Sequence, residues 1–272
     1  MVHLSGSLKY LTIQNYVSAV ISLNYYFGQD ISALRSEFEF TMTMSGIRRV
    51  LGDPEPVRPT LTLSQLLKLF TFVDLRSQNQ RCMWACIALS FRALLRKSNL
   101  VPDSAKEPSG HFLRRGAVRF ESWGLDVRVS SSKTIQYFQR VHSVPVTLAP
   151  GSPLCAASWL YEHFKDTPGA GPDSPAFLLQ GKSGLVPLSY VKLLTFLKTL
   201  LRLSGLSNER TGLHSLRRAG ALHMFDIGLS LEDIRQAGDW KSMAALLYLA
   251  KPLELKIKSD LVVARSLLVV GH

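Results

Sequence analysis

Residues 78–97, QNQRCMWACIALSFRALLRK, restrict the architecture more than any other stretch. Cys82, Ile87, Leu89, Phe91, Leu94 and Leu95 recur through a helical segment that is apolar on more than one face. A helix apolar on most sides is stable only when other elements wrap it. The chain must therefore surround this helix, and 272 residues suffice for one large domain, or a large and a small one. The segment ends in Arg96-Lys97, which sets a cationic terminus at the edge of a core.

The remaining elements follow from hydrophobic period and punctuation. Residues 8–26 read as one helix, with Ile13, Tyr16, Val17, Val20 and Leu23 on its apolar face. A second helix spans about 31–50, through Phe38, Met42 and Ile47, to the basic pair Arg48-Arg49. Two helices are few for an independent domain, so residues 1–51 read as part of a larger bundle. Residues 52–60, GDPEPVRPT, are a linker by their proline and glycine content, and 61–272 form the main domain. There Thr62 or Ser64 caps a helix through Phe72. Residues 117–148 change period: AVRFESW, LDVRV and VHSVPVTL predict a three-stranded antiparallel sheet, with Lys133 in its second turn. Helices follow from Ser152-Pro153 to His163, from Ser189 to Leu203, and from Ser215 to Phe225. Another runs from a Ser230/Asp233 capping box to Gly238, and a last one from Met243 to Leu249, before a lysine-rich tail from Pro252. The fold class is mainly α with a small three-stranded antiparallel sheet.

Charge narrows the partners. Thirty-two Lys and Arg against twenty Asp and Glu leave a net +12, which favours an anionic partner, and nucleic acid is the commonest. No apolar run reaches the length of about eighteen residues that a membrane span needs, and LVVARSLLVV is broken by Arg265, so no membrane partner is expected. The stretch MVHLSGSLKY has no signal-peptide core. Three cysteines make no disulfide framework, and Cys82 and Cys86 read as core thiols in a reducing compartment.

The chemistry concentrates between Thr211 and Tyr248. His214 and Arg217 are three residues apart at a helix start, where exposed amides and the helix dipole favour a phosphate. Arg218, Gly238, Trp240 and Tyr248 follow. Each has an ordinary structural explanation: a surface histidine, a core tyrosine, a packed indole. The order of LLRKSNL, SSKT, LHSLRR, GDW and Tyr248, however, resembles the tyrosine recombinase (phage integrase) family, and most of all its eukaryotic mobile-element members of the DIRS, Ngaro and Crypton types.

That resemblance implies a partial helical core-binding domain (1–51) and a catalytic domain (61–272). It implies Arg96 and Arg217 as the phosphate-clamping arginines, Lys133 as the hairpin lysine, His214 as the H-x-x-R histidine, Trp240 as an indole donor and Tyr248 as the nucleophile. Tyr248 would attack a DNA phosphate to leave a 3′-phosphotyrosine link and a free 5′-hydroxyl. The arginines would stabilise the transition state, and Lys133 would protonate the leaving oxygen. No cofactor is implied, and no H-E-x-x-H, acidic cluster or Cys/His metal set is present. Double-stranded DNA is the implied partner, with a homotetramer assembled on it in the nucleus. Arg48, Arg49, Arg114, Arg115 and Arg218 are candidates for DNA contacts. Two departures stand out. Asn99 occupies the usual glutamate position, and Asp239 directly follows Gly238, where many members have histidine or tryptophan. An acid there should turn away from the phosphate. Three other readings remain: a recombinase-derived DNA-binding protein without catalysis, a helical interaction protein with accidental motifs, and a type IB topoisomerase, which would share much of the pocket chemistry.

Overall fold

The structure, a computed structural model, describes residues 8–52, 60–105, 112–131, 135, 140–206 and 211–240. The chain divides into two compact units, residues 1–57 and 58–272.

In the first unit α1 (Tyr10–Tyr26) and α2 (Phe38–Leu51) pack through Tyr10, Ile13, Met44 and Ile47. The helix expected from residue 31 is interrupted. The Asp30 carboxylate accepts the Ser32 amide at 2.9 Å, a short 3-10 turn spans Ser32–Ser36, and Glu37 is extended. Such local side-chain bonding competes with helix continuation. Tyr16, Val20 and Leu23, expected on the buried face, are exposed because two short helices cannot cover them.

The second unit is built around α4 (Gln78–Arg92), whose residues from Cys82 to Phe91 are all buried. Helix α3 (Leu63–Phe70) begins with a capping box between Thr62 and Gln65. Helices α6 (Ala156–Asp166) and α8 (Leu213–Asp226) pack along α4. Gly220 permits the α4–α8 approach, since a Cβ there would lie 2.1 Å from the Phe91 carbonyl oxygen. Helix α7 (Tyr190–Leu203) starts at the expected Ser189 cap. Helix α9 (Leu231–Ala237) has the expected Ser230/Asp233 capping box.

The three-stranded sheet is as expected: β1 (Val118–Glu121), β2 (Gly124–Val129) and β3 (His142–Thr147), antiparallel in that order. Gly124 is required by φ +149° and by the Val146 carbonyl, 2.2 Å from any added Cβ. A second hairpin, β4 (Leu178–Gly181) and β5 (Gly184–Pro187), was not anticipated. Its strands are four residues each, too short for alternation to register. Other boundaries move, among them three helix ends. Helix α4 stops at Arg92 rather than 97, α6 starts after Cys155 rather than at Ser152-Pro153, and α8 starts at Leu213 rather than Ser215. In the last case Gly212 is the cap, and its amide donates back to the Ser215 hydroxyl at 3.3 Å. The expected helix from Met243 to Leu249, and most of the linker, lie outside the described residues.

His163 fastens α6 to β4. It is 2% exposed, and its Nε2 accepts the Leu178 amide at 3.2 Å beside the Cys82 thiol. Its Nδ1 has no hydrogen-bond partner among the described residues. Burial, then the nearby Arg115 charge, lower its pKa to about 4. Burial pushes the Cys82 and Cys86 thiols well up, as suits core residues. No group of side chains able to hold a metal occurs among the described residues.

Candidate active site

The site begins where α4 ends. After Arg92 the chain reverses through Leu94, whose φ of 50° lies in the left-handed region. For a leucine this conformation costs on the order of 1–3 kcal/mol. Two contacts offset it: the Leu94 side chain packs with Ala221, Ile234 and Trp240, and its carbonyl accepts Nη1 of Arg217. Arg96 therefore sits not on the long helix but at the cap of the short α5 (Lys97–Leu100), half-buried. Asn99, inside α5 and buried, donates Nδ2 to the Ser131 carbonyl at 2.7 Å. That bond ties the Arg96 turn to the chain leaving β2. Asn99 thus serves to position that turn.

Arg217 joins three parts of the unit. It lies within α8 and is 2% exposed. Besides Leu94, its Nη2 donates to the Gly238 carbonyl at 2.5 Å, and the guanidinium lies 4.2 Å from the Trp240 ring centre. Charge-assisted bonds of this kind contribute about 1.5–3 kcal/mol each.

The end of α9 shows why the GDW sequence has its form. Gly238 has φ −88°, so its backbone needs no glycine. Space does: a Cβ would meet the Trp240 ring at 1.9 Å. The left-handed residue is instead Asp239, with φ 50°. Trp240 is buried and packs behind Arg217, a platform for the guanidinium.

Arg96, Asn99, Arg217 and Asp239 line one narrow cleft with Leu94 and His142. A neighbouring cavity of about 590 Å³ is lined by Arg92, Arg140, His142, Asp239 and Trp240 among others. Asp239 was expected to turn away from the phosphate. It borders both spaces, and its carboxylate pairs with Arg140, which compensates the charge. His142 and Arg140 carry no motif and escaped sequence reasoning; the signal was their place at the start of the third strand. His142 is half-buried, and burial holds its pKa below the usual value, opposed by Asp239 and assisted by Arg140.

The other expected residues divide. His214 is exposed at the second position of α8, one turn before the buried Arg217. Lys133 and Tyr248 lie outside the described residues. Arg48 and Arg49 are exposed in the last turn of α2, with Arg48 5.7 Å from the Tyr10 ring centre. Arg114 is exposed and donates to the Asp173 carbonyl at 2.5 Å. Arg115 and Arg218, candidates for DNA contacts, both make bonds within the fold. Arg115 donates to Thr167 Oγ1 at 2.7 Å and to the Phe164 carbonyl at 3.1 Å, with its guanidinium 3.8 Å from the Phe164 ring centre. Arg218 is 5% exposed and donates to Ser215 Oγ at 3.0 Å.

No family model and no curated protein matches the sequence. Solved structures do. XerH site-specific recombinase, in a post-cleavage complex with palindromic difH substrate, is 15% identical with a TM-score of 0.66, over 94% of this chain and 68% of that one. The Tn1549 transposon integrase in complex with circular intermediate DNA is 15% identical with a TM-score of 0.62, over 94% of this chain and 80% of that one. XerA recombinase is 13% identical with a TM-score of 0.54, over 93% and 82%. At such identities the likeness is one of fold: the mainly helical architecture with its three-stranded sheet is that of the tyrosine recombinase catalytic domain.

Proposed function

We propose that this chain cleaves and rejoins DNA strands through a covalent 3′-phosphotyrosine intermediate. The observation that carries the reading is the shared cleft of Arg96 and Arg217, two arginines far apart in sequence, on a fold in common with DNA-bound recombinases. A guanidinium pair is suited to the non-bridging oxygens of a phosphate, where charge grows in the transition state. In this mechanism Tyr248 attacks phosphorus, Lys133 protonates the leaving 5′ oxygen, and His214 assists at the helix start. Trp240 holds Arg217 in place rather than acting chiefly as a donor.

The motif order supports a place among recombinases of eukaryotic mobile elements, acting in the nucleus as a homotetramer on double-stranded DNA. Residues 1–51 would be a partial core-binding domain, 52–60 its linker and 61–272 the catalytic domain. Arg48, Arg49 and Arg114 would add phosphate contacts, which give affinity and salt dependence rather than sequence choice.

Asp239 in the cleft favours a second reading, a DNA-binding protein that no longer cuts. One experiment separates the two. The protein is incubated with a pool of nicked duplexes of randomised sequence, and denaturant-resistant adducts are counted. The first reading predicts adducts that disappear in Tyr248→Phe. Retained duplex without adducts supports the second.

A further inference from the structure

His142 belongs to none of the sequence motifs, yet it stands where their elements meet. It is the first residue of β3, paired with Val129 at the end of β2, and Lys133 falls between the two in sequence. Among the described residues lining the cleft of Arg96 and Arg217, it carries the one imidazole. It also lines the larger neighbouring cavity of about 590 Å³.

Its surroundings come from every neighbouring element. Asp239 approaches from the end of α9, Arg140 from the chain before β3, Arg217 from α8, and Arg96 from the turn after α4. Arg92, Asp233 and Arg235 line the larger cavity with it. Burial is the largest influence and favours the neutral ring. Asp239 and the Ala237 backbone favour the protonated ring, while Arg140 and Arg217 oppose it. An imidazole whose N–H is turned to a backbone carbonyl leaves the lone pair of its other nitrogen to face elsewhere. In the neutral state that nitrogen accepts protons, and a neutral imidazole near pH 7 is the usual form of a general base.

We propose that His142 is a further catalytic residue, which contacts the reacting oxygen beside Arg96 and Arg217 and takes the proton of the attacking hydroxyl. This rests on the strand-cleavage reading above. As the Tyr248 phenol oxygen bonds to phosphorus, its O–H electron pair stays on that oxygen and the proton passes to His142. The bond from phosphorus to the 5′ oxygen breaks, and that oxygen keeps the electron pair and takes a proton from Lys133. In rejoining, the 5′-hydroxyl returns its proton to Lys133, and the imidazolium returns the other to the departing phenolate.

The test is single-turnover adduct formation on the pool of nicked duplexes, from pH 5 to 9, for the unsubstituted protein, His142→Asn, His142→Ala and Tyr248→Phe. The unsubstituted protein should lose rate as pH falls through the His142 pKa. Both His142 variants should be slower by about 10²–10⁴-fold at neutral pH and lack that acid limb. Added imidazole should restore part of the rate to His142→Ala, a result that a merely structural histidine would not give. An acid limb that persists in either variant overturns the proposal while leaving strand cleavage intact. Absence of adduct from the unsubstituted protein at every pH, or its persistence in Tyr248→Phe, overturns the cleavage reading and this proposal with it.

Discussion

Gly220→Ala puts the α4–α8 joint to a test of sign. In an exposed helix interior, alanine is better than glycine by about 0.8–1 kcal/mol. At position 220 the added Cβ would sit 2.1 Å from the Phe91 carbonyl oxygen and 2.5 Å from Leu94 Cδ2. Backbone cannot move aside as a side-chain tip can, so α8 must shift away from α4. Overpacking of this kind costs about 1–3 kcal/mol. The shift also stretches the bond from Arg217, one turn earlier on α8, to the Leu94 carbonyl, a charge-assisted bond of about 1.5–3 kcal/mol. Set against the propensity gain, the net is a loss of about 2–5 kcal/mol. Gly46 in α2 is the control, because a Cβ there meets nothing within 4 Å. Gly46→Ala should stabilise its own unit by about 0.5–1 kcal/mol. Urea unfolding of both variants, followed by circular dichroism, gives the two signs. A neutral or stabilising Gly220→Ala would refute the close crossing and the Arg217 joint that depends on it.

Three further outcomes are expected. His163 has a pKa of about 4 when folded, below its unfolded value near 6.5, so its stabilising effect is complete above about pH 6.5 and is lost as pH falls toward 4. The loss is about 3 kcal/mol, and urea midpoints from pH 7 to 4 should fall more steeply for the parent than for His163→Gln; equal slopes refute it. Gly238→Ala should displace the Trp240 ring and destabilise by about 1–3 kcal/mol, visible as a change in tryptophan emission as well as in melting temperature. Arg140→Ala should leave the Asp239 charge uncompensated and weaken duplex binding by about tenfold at low salt, with Asp239→Asn in the same chain restoring it. Failure of that restoration in filter binding would show that the ion pair is irrelevant to the anion.

Much of the second unit was legible because its signals are local. The capping residues Thr62, Ser189 and Ser230 each stand where a helix starts, and alternation marks the sheet. What escaped depends on tertiary company. Leu94 continues the apolar helical pattern perfectly well, and its left-handed φ follows from the Arg217 guanidinium across the core. Gly238 read correctly as a helix end, but for conformational reasons, whereas the structure requires it for space beside Trp240. No sequence pattern announces that Arg115 holds Thr167 or that Arg218 holds Ser215. Arg96 and Arg217, singled out by motif order, line one cleft. Arg140 and His142 were not singled out, since residues just before and at a strand's start acquire meaning from the helix end they face.

The double occupation of Arg217 has an evolutionary consequence. Its guanidinium closes two chain reversals and lies against an indole, so its removal leaves buried carbonyls and a cavity at once. Losing one partner of a buried charged network costs about 3–5 kcal/mol, enough to unfold a marginal domain. Lysine keeps the charge but lacks the planar fork that reaches both carbonyls. Selection for folding alone therefore preserves this arginine. Arg96 is half-buried at the cap of α5. Under the proposed cleavage reading, Arg217 would persist even in a lineage that no longer cut DNA, so its presence alone does not mark one that performs chemistry.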